Sequence, residues 1–309
     1  MFRGIIFTLI AGIAFGFSPV ISTLVYNNGG DPMTLVFLRY AYMIPASLSI
    51  VLFKKKELRL PAEQMLKLVF VAVGCSLVSS LTLYMSYQWI DPGVSTAIHF
   101  MYPVILVVLS LIIFKDKIDK KTIIALAFSI GGTLSIVEFG QSGSILGVVF
   151  AIVSSFAYSM YLLLNEKWRL AELDSMVFLF YVSVFCTLTM LVMMPLGFKI
   201  NLNQPIENHL VMIVVALLTS CVGLLFMKEG VRLLGSRIAS VISMSEPISA
   251  LVFSALLLHS EVTISTVIGA VFIITAILIL LYKPKRKRVK VSDTTHEKMT
   301  TNELNESKI

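Results

Sequence analysis

One carboxylic acid, Glu246, lies near the middle of an apolar run over residues 238–258 and is followed directly by Pro247. At ~1.5 Å per residue, this run is long enough to cross a hydrocarbon core of about 30 Å. A charge at that depth costs roughly 2.5–3.5 kcal/mol, so it should face protein or water. The proline also frees a backbone carbonyl, which needs a cavity or a neighbouring helix. The pair indicates either a kink with a bonded acid or a site along a path through a membrane.

Two other ionisable side chains, Arg39 and His99, also lie within apolar runs. Arg39 could hold a carboxylate or phosphate of a solute with two parallel N–H bonds. It could instead reach outer headgroups or pair with Glu138. His99 could bond a neighbouring helix, or it could carry a coupling proton because an imidazole titrates near neutral pH.

Polar aromatic residues accompany these groups. Tyr102 follows His99 by three residues and shares its predicted helix face, and Tyr84 and Gln88 lie four residues apart on another face. A tyrosine presents a ring and a hydroxyl together, which suits amphipathic metabolites. Glu246, His99, Tyr102, Tyr84, Gln88 and Arg39 are therefore the candidate lining of a central cavity.

Other aromatic residues and prolines have simpler interpretations. Tyr87 and Trp89 lie near a predicted outer boundary and are interpreted as belt aromatics. Pro103 and Pro247 predict interrupted helices, and Pro19, after Ser18, predicts a further break that faces the same centre.

Composition places these residues in a membrane protein, because 57% of the 309 residues are hydrophobic and only 14% are charged. Hydropathy predicts ten spans joined by short connections, so the fold class is all-α integral membrane. The predicted spans are 4–25, 33–53, 66–89, 93–114, 122–139, 145–164, 176–198, 210–227, 238–258 and 263–282.

The basic residues predict the orientation. With the N-terminus in the cytoplasm, all but two of the 25 Lys and Arg residues lie inside, in loops or in the tail. Lys199 alone lies outside, and Arg39 alone lies deep within a span, since Lys67 is only the second residue of its span. The positive-inside rule therefore predicts that both termini are cytoplasmic in a plasma membrane. With this orientation Arg39 and His99 lie ~9 Å from the outer boundary and Glu246 ~14 Å from the inner one.

The chain lacks the residue patterns for metal binding, for ATP-driven transport and for catalysis. Cys75, Cys186 and Cys221 lie in different spans without a metal-binding or disulfide spacing, so no metal or other cofactor is expected. There is no Walker motif, so transport driven by ATP would need a separate subunit. With four histidines and no convergent acid or serine set, a membrane enzyme is disfavoured. The net charge of +7 does not indicate a nucleic-acid partner, because the basic residues are distributed over the loops of one membrane side and the tail.

The two halves of the chain resemble each other. A slide of 144 residues places Pro103 on Pro247 and matches six further residues without a gap, and a slide of 141 lays residues 15–18 on 156–159. Five spans per half is an odd number, so the second half enters the membrane inverted. Inverted repeats place a binding site near the midplane, where interrupted helices meet. The predicted domains are 1–142 and 143–282, followed by a disordered basic tail over 283–309.

The order of these motifs resembles the EamA family of the drug/metabolite transporter superfamily. Each half opens with the pattern F-G/A-aromatic-S, and Phe-Leu-Arg-Tyr lies at 37–40. In the second half, residues 235–240 lead into Ser-Glu-Pro at 245–247. An acid closes each central helix, Asp116 and Glu261. The resemblance covers residues 4–282.

The resemblance implies a secondary transporter that moves a small amino-acid-like or amphipathic metabolite by alternating access, with export as the direction. It places an arginine at Arg39 across unlike substrates, which favours a structural role there. Two departures, Phe15 in place of Trp and Pro103 after His99 and Tyr102, fall where a substrate would be selected. Membrane lipid, a coupling proton and a second copy in a homodimer are the other candidate partners. The alternative function is a receptor or assembly protein that transports nothing.

The predicted orientation can be measured with reporter fusions. Fusions at Asn27, Gly140 and Asn203 are expected to report outside, and fusions at Lys55, Lys117 and the tail to report inside, because the basic loops stay in the cytoplasm. A cytoplasmic signal at Asn203 would contradict the inverted repeat.

Overall fold

A computed structural model of the protein describes residues 1–90, 92–136, 144–258 and 263–281. Across these ranges the regular structure is helical and contains no β-strand. The predictions made for Glu138, Glu261 and the tail from residue 283 lie outside the described residues.

The long helices follow the predicted spans closely. In chain order they are α1 Phe2–Asn27, α2 Pro32–Phe53, α3 Ala62–Ser86, α4 92–114, α5 Lys120–Ile136, α6 Ile145–Lys167, α7 Ser175–Met193, α8 Ile206–Leu234, α9 236–258 and α10 Ile264–Leu281. Short 3₁₀ turns at Leu170–Glu172 and Met194–Leu196 lie beside α7. Of the helices described, eight are long and apolar enough to cross a membrane; α5 and α10 are shorter and pack along each other.

Polar residues at the helix starts explain where several helices begin. The Asp31 carboxylate accepts a hydrogen bond from the Thr34 amide at 2.9 Å, and Pro32 follows at the first position of α2. The Asp174 carboxylate caps α7 by accepting from the Met176 amide at 3.0 Å. Such caps bond amides that the helix itself leaves without a partner.

Helices α4 and α9 are interrupted at matching positions. In α4 a segment over Pro92–His99 is followed by a second one over Tyr102–Phe114. In α9 a segment over Ser236–Ile242 and a 3₁₀ turn precede the segment Glu246–Leu258. Pro103 and Pro247 each occupy the second position of the later segment, where a proline costs no intrahelical hydrogen bond.

Pro19 does not break α1. The helix continues from Phe2 to Asn27 with this proline inside it. The Ser22 hydroxyl donates to the Ser18 carbonyl at 2.6 Å, and the Thr23 hydroxyl donates to the Pro19 carbonyl at 3.0 Å. The described helix therefore runs through the proline, and the predicted break is absent.

The third helix of each half contains a π-helical segment. These segments are Phe70–Leu77 in α3 and Ala216–Leu224 in α8. A π-helical turn widens the backbone and is rare outside functional positions. The two halves therefore share a second backbone irregularity besides the interrupted helices.

Glycines let α1 approach the interrupted part of α9 closely. A Cβ at Gly16 would lie 2.8 Å from the Ala250 nitrogen and 2.9 Å from the Glu246 carbonyl oxygen. The Ser249 hydroxyl also donates to the Gly12 carbonyl at 3.1 Å. Backbone atoms cannot yield as a side chain can, so this contact fixes the position of Glu246.

We expect Gly16→Ala to lower the melting temperature of the purified protein, because the added methyl overpacks against backbone at a cost of about 1–3 kcal/mol. The matched control is Gly131→Ala in α5, where the nearest atom to an added Cβ is 3.8 Å away. This control should be neutral or stabilising, since alanine favours a helix by about 1 kcal/mol over glycine. Equal melting temperatures for both variants would contradict the close packing of α1 on α9.

Candidate functional site

Four of the predicted site residues line one cavity between the two halves of the chain. They are Arg39 of α2, Tyr84 of α3, His99 of α4 and Glu246 of α9. The cavity has a volume of about 50 Å³, and a water molecule occupies about 30 Å³ of liquid. The cavity is therefore smaller than an amphipathic metabolite.

Arg39 is turned into this cavity. Its side chain is only 5% exposed, and its Nε donates to the Ser220 hydroxyl at 2.9 Å. Its Nη1 lies 3.5 Å from the Ser80 hydroxyl, which is a long, weak contact. The interpretation that Arg39 reaches the outer headgroups is therefore wrong. The guanidinium instead joins α2 to α3 and, across the halves, to α8.

Glu246 supplies an acidic group to the same cavity. It is the first residue of the later α9 segment, where the positive end of a helix dipole favours an anion. Within the described parts of the chain no donor bonds its carboxylate, and its side chain is partly exposed. Among the described residues lining the cavity, Glu246 is the one acid, and Arg39 is the one residue with a permanent positive charge. They face the same space without forming an ion pair with each other.

His99 is held by the first helix of the second half. Its Nδ1 lies 2.9 Å from the Ser154 hydroxyl of α6. Its ring lies against two tyrosines, with centroids 5.5 Å from Tyr102 and 5.4 Å from Tyr158. A bond to a neighbouring helix is one of the two roles predicted for His99, and the contact with Ser154 is such a bond.

Tyr102 and Gln88 lie outside the cavity. The Tyr102 hydroxyl shares a 2.5 Å hydrogen bond with Ser243, so it ties the interruption of α4 to the interruption of α9. Gln88 lies beyond the end of α3 at Ser86, and the i, i+4 relation to Tyr84 fails because the helix stops between them. Gln88 lines a separate pocket of about 440 Å³ on the predicted outer side, which also includes Lys199.

Sequence reasoning missed or misplaced other lining residues. Tyr158 lines the cavity beside His99, and the signal for it was its place in the pattern F-G/A-aromatic-S at the start of the second half. Tyr87 also lines the cavity, is 9% exposed and shares a 3.2 Å hydrogen bond with Thr96. The interpretation of Tyr87 as a belt residue is therefore wrong, whereas Trp89 is 47% exposed, as a belt residue would be.

Polar contacts join the two halves on the predicted inner side. Lys167 pairs with Asp116 at 2.7 Å, and Lys56 pairs with Asp174 at 3.2 Å. The Arg237 guanidinium also donates to the carbonyl of residue 117 at 2.6 Å. Partial burial raises the pKa of Asp174, but the hydrogen bonds from Lys56 and from backbone amides outweigh it, so the pKa is lowered. Asp174 is therefore ionised at neutral pH and can hold this contact.

Comparison with known proteins gives a family match over nearly the whole described chain. The model of the EamA-like transporter family matches twice, at residues 2–138 and 145–282. A solved crystal structure superposes with a TM-score of 0.73 at 14% identity, covering 90% of this chain and 98% of that chain. At that identity the likeness shows a shared fold alone.

Curated relatives align over almost their full length. An uncharacterized transporter of Clostridium kluyveri is 24% identical over 295 residues, covering 90% of this chain and 93% of the relative. The uncharacterized inner membrane transporter YicL of Salmonella typhimurium is 23% identical over 297 residues, covering 92% of this chain and 97% of the relative.

The role of Ser220 at the site can be tested by Ser220→Ala. This change leaves the buried Nε–H of Arg39 without an acceptor, which should cost about 1–3 kcal/mol and lower the melting temperature. Ser129→Ala is the control, because the buried Ser129 hydroxyl has no partner in the described structure and its loss should be neutral. If both variants melt at the wild-type temperature, the contact of Arg39 with Ser220 does not contribute to stability.

Proposed function

The chain belongs to the EamA-like transporter family, and from this premise we propose that it is a secondary transporter of a small organic metabolite in the plasma membrane. The proposal includes ten spans in two inverted repeats, with both termini in the cytoplasm. The sorted basic residues support the orientation. The matched interruptions and π-helical segments of the two halves support the repeat.

The observation that carries the proposal is the presence of one acid and one guanidinium in the same cavity. Arg39 and Glu246 face the same space from different halves, and neither neutralises the other in an ion pair. Uncompensated charges at membrane depth are costly and are retained where a pathway needs them. A zwitterionic solute would bind both groups, with its carboxylate at Arg39 and its amino group at Glu246.

Alternating access supplies the movement that the narrow cavity requires. The ion pairs Lys167–Asp116 and Lys56–Asp174 close the predicted inner side, whereas the pocket of about 440 Å³ opens on the other side. A solute would move inward or outward as these cross-half contacts break and re-form. Export is the direction that we propose, on the basis of the family. The alternative, a receptor or assembly protein, would bind the solute without moving it.

Solute accumulation in vesicles tests this function. A thermal-shift screen of the purified protein against metabolites should first find a ligand that raises the melting temperature, since a ligand that binds the folded protein stabilises it. Vesicles containing the protein should then accumulate that ligand, and protein-free vesicles should not. Binding without accumulation would support the receptor alternative instead.

We further propose that Glu246 carries a coupling proton. Glu246→Gln should remain folded and bind the solute more weakly, because the amide oxygen still accepts a hydrogen bond but carries no charge. Its flux should no longer depend on pH between about 5.5 and 8, because glutamine cannot titrate. Glu207→Gln, at the exposed start of α8, is the matched control and should keep the wild-type pH profile. Identical profiles for wild type and Glu246→Gln would assign Glu246 to packing.

A further inference from the structure

We infer that His99 presents a bare Nε2 to the cavity as a fixed hydrogen-bond acceptor, which binds an N–H donor such as the ammonium group of a solute. This inference rests on the proposed function and adds to it the chemical group that the solute must carry. It follows from the hydrogen bonds of Ser154, which determine which ring nitrogen of His99 holds the proton.

Ser154 has a single hydroxyl hydrogen and two oxygen or nitrogen neighbours within 3 Å; the Ser79 hydroxyl oxygen lies further away, at 3.4 Å. Its Oγ lies 2.8 Å from the carbonyl oxygen of Ser79 and 2.9 Å from Nδ1 of His99. A carbonyl oxygen can only accept, so the hydrogen of Ser154 is used in the bond to Ser79. The bond to His99 then needs its hydrogen from the ring, and Nδ1 must be the protonated nitrogen.

An uncharged imidazole carries one hydrogen, so Nε2 is left as an acceptor. No donor or acceptor in the described parts of the chain is within hydrogen-bond distance of Nε2. Among the described residues, some polar side-chain atoms are both fully buried and without a hydrogen-bond partner, and Nε2 of His99 is not one of them. His99 is 5% exposed and lines the cavity, so this small exposed area belongs to the cavity.

The ring cannot easily turn to exchange its two nitrogens. Ser79 and Ser154 bond each other in both directions, since the Ser79 hydroxyl also donates to the Ser154 carbonyl at 3.1 Å. This double link fixes the acceptor for Nδ1 between α3 and α6. Tyr102 and Tyr158 pack against the ring, and rotation would leave a C–H group facing the Ser154 oxygen.

The consequence is a pair of acceptors in one cavity. Nε2 of His99 and the carboxylate of Glu246 both lack a protein donor among the described residues. A protonated amine has up to three N–H donors and a positive charge, so it can bond both groups. A hydroxyl could satisfy one acceptor but carries no charge for Glu246. We therefore assign this part of the cavity to an ammonium group.

The tautomer can be measured directly in the wild-type protein by ¹⁵N NMR of histidine-labelled protein in lipid nanodiscs. The chain has four histidines, and the His99 signals are identified by their loss in His99→Gln. We expect a protonated Nδ1 and a bare Nε2. Methylammonium chloride, which is small enough for the narrow cavity, should shift the Nε2 signal, and potassium chloride at equal concentration should not. A protonated Nε2, or equal shifts with both salts, would overturn the inference.

Ser154→Ala tests the cause of the tautomer. Without the Ser154 oxygen, Nδ1 loses its acceptor, so the Nε2–H form should appear and the Kd for methylammonium should rise roughly tenfold. Ser155→Ala is the control on the same helix, because the Ser155 hydroxyl has no partner within the described residues. An unchanged tautomer in Ser154→Ala would overturn the role of Ser154. Solute accumulation by vesicles whose His99 carries hydrogen on Nε2 would overturn the inference and leave the transporter function intact.

Discussion

A polar group inside a membrane must find its partners within the protein, and this constraint shapes the interior of the molecule. Serine hydroxyls meet the requirement repeatedly. Ser220 accepts from Arg39, Ser154 bonds His99, and Ser243 bonds Tyr102. A serine adds little volume, so helices can approach closely while the hydroxyl replaces a water molecule. The one acid in the described cavity lining, Glu246, has no such partner, so its carboxyl group is left open to the cavity.

The backbone irregularities lie beside these polar groups. The interruptions of α4 and α9 free backbone groups near Tyr102 and Ser243, and the π-helical segments of α3 and α8 carry Ser76 and Ser220. A regular helix bonds all its internal backbone groups to itself, whereas an interrupted or widened helix can repack at lower cost. The repeat supplies one interrupted and one widened helix from each half. Three residues of the cavity lining, Ser76, Leu224 and Glu246, lie in or directly beside these irregular segments.

The sequence predicts the fold well, because long apolar runs and sorted basic residues are strong signals. It also identifies Arg39, His99 and Glu246, since ionisable residues are conspicuous in apolar runs. Aromatic lining residues are harder to find, because a tyrosine that faces lipid and one that faces a cavity have the same neighbours in sequence. Tyr87 was misplaced for this reason, and Gln88 because the end of α3 at Ser86 has no capping signal in the sequence.

The separation of Arg39 from Glu246 has a consequence for how a solute can promote movement. Arg39 is bonded to Ser220 across the halves, so its position depends on how α2 and α8 pack. The position of Glu246 depends instead on the close contact of α1 with α9. A solute that bonds both groups would therefore connect these two helix contacts directly, in addition to the packing of α1 on α8. It can favour one arrangement of the halves only by binding that arrangement more tightly. A cavity of about 50 Å³ cannot hold an amphipathic metabolite, so such a solute favours an arrangement with these helices further apart.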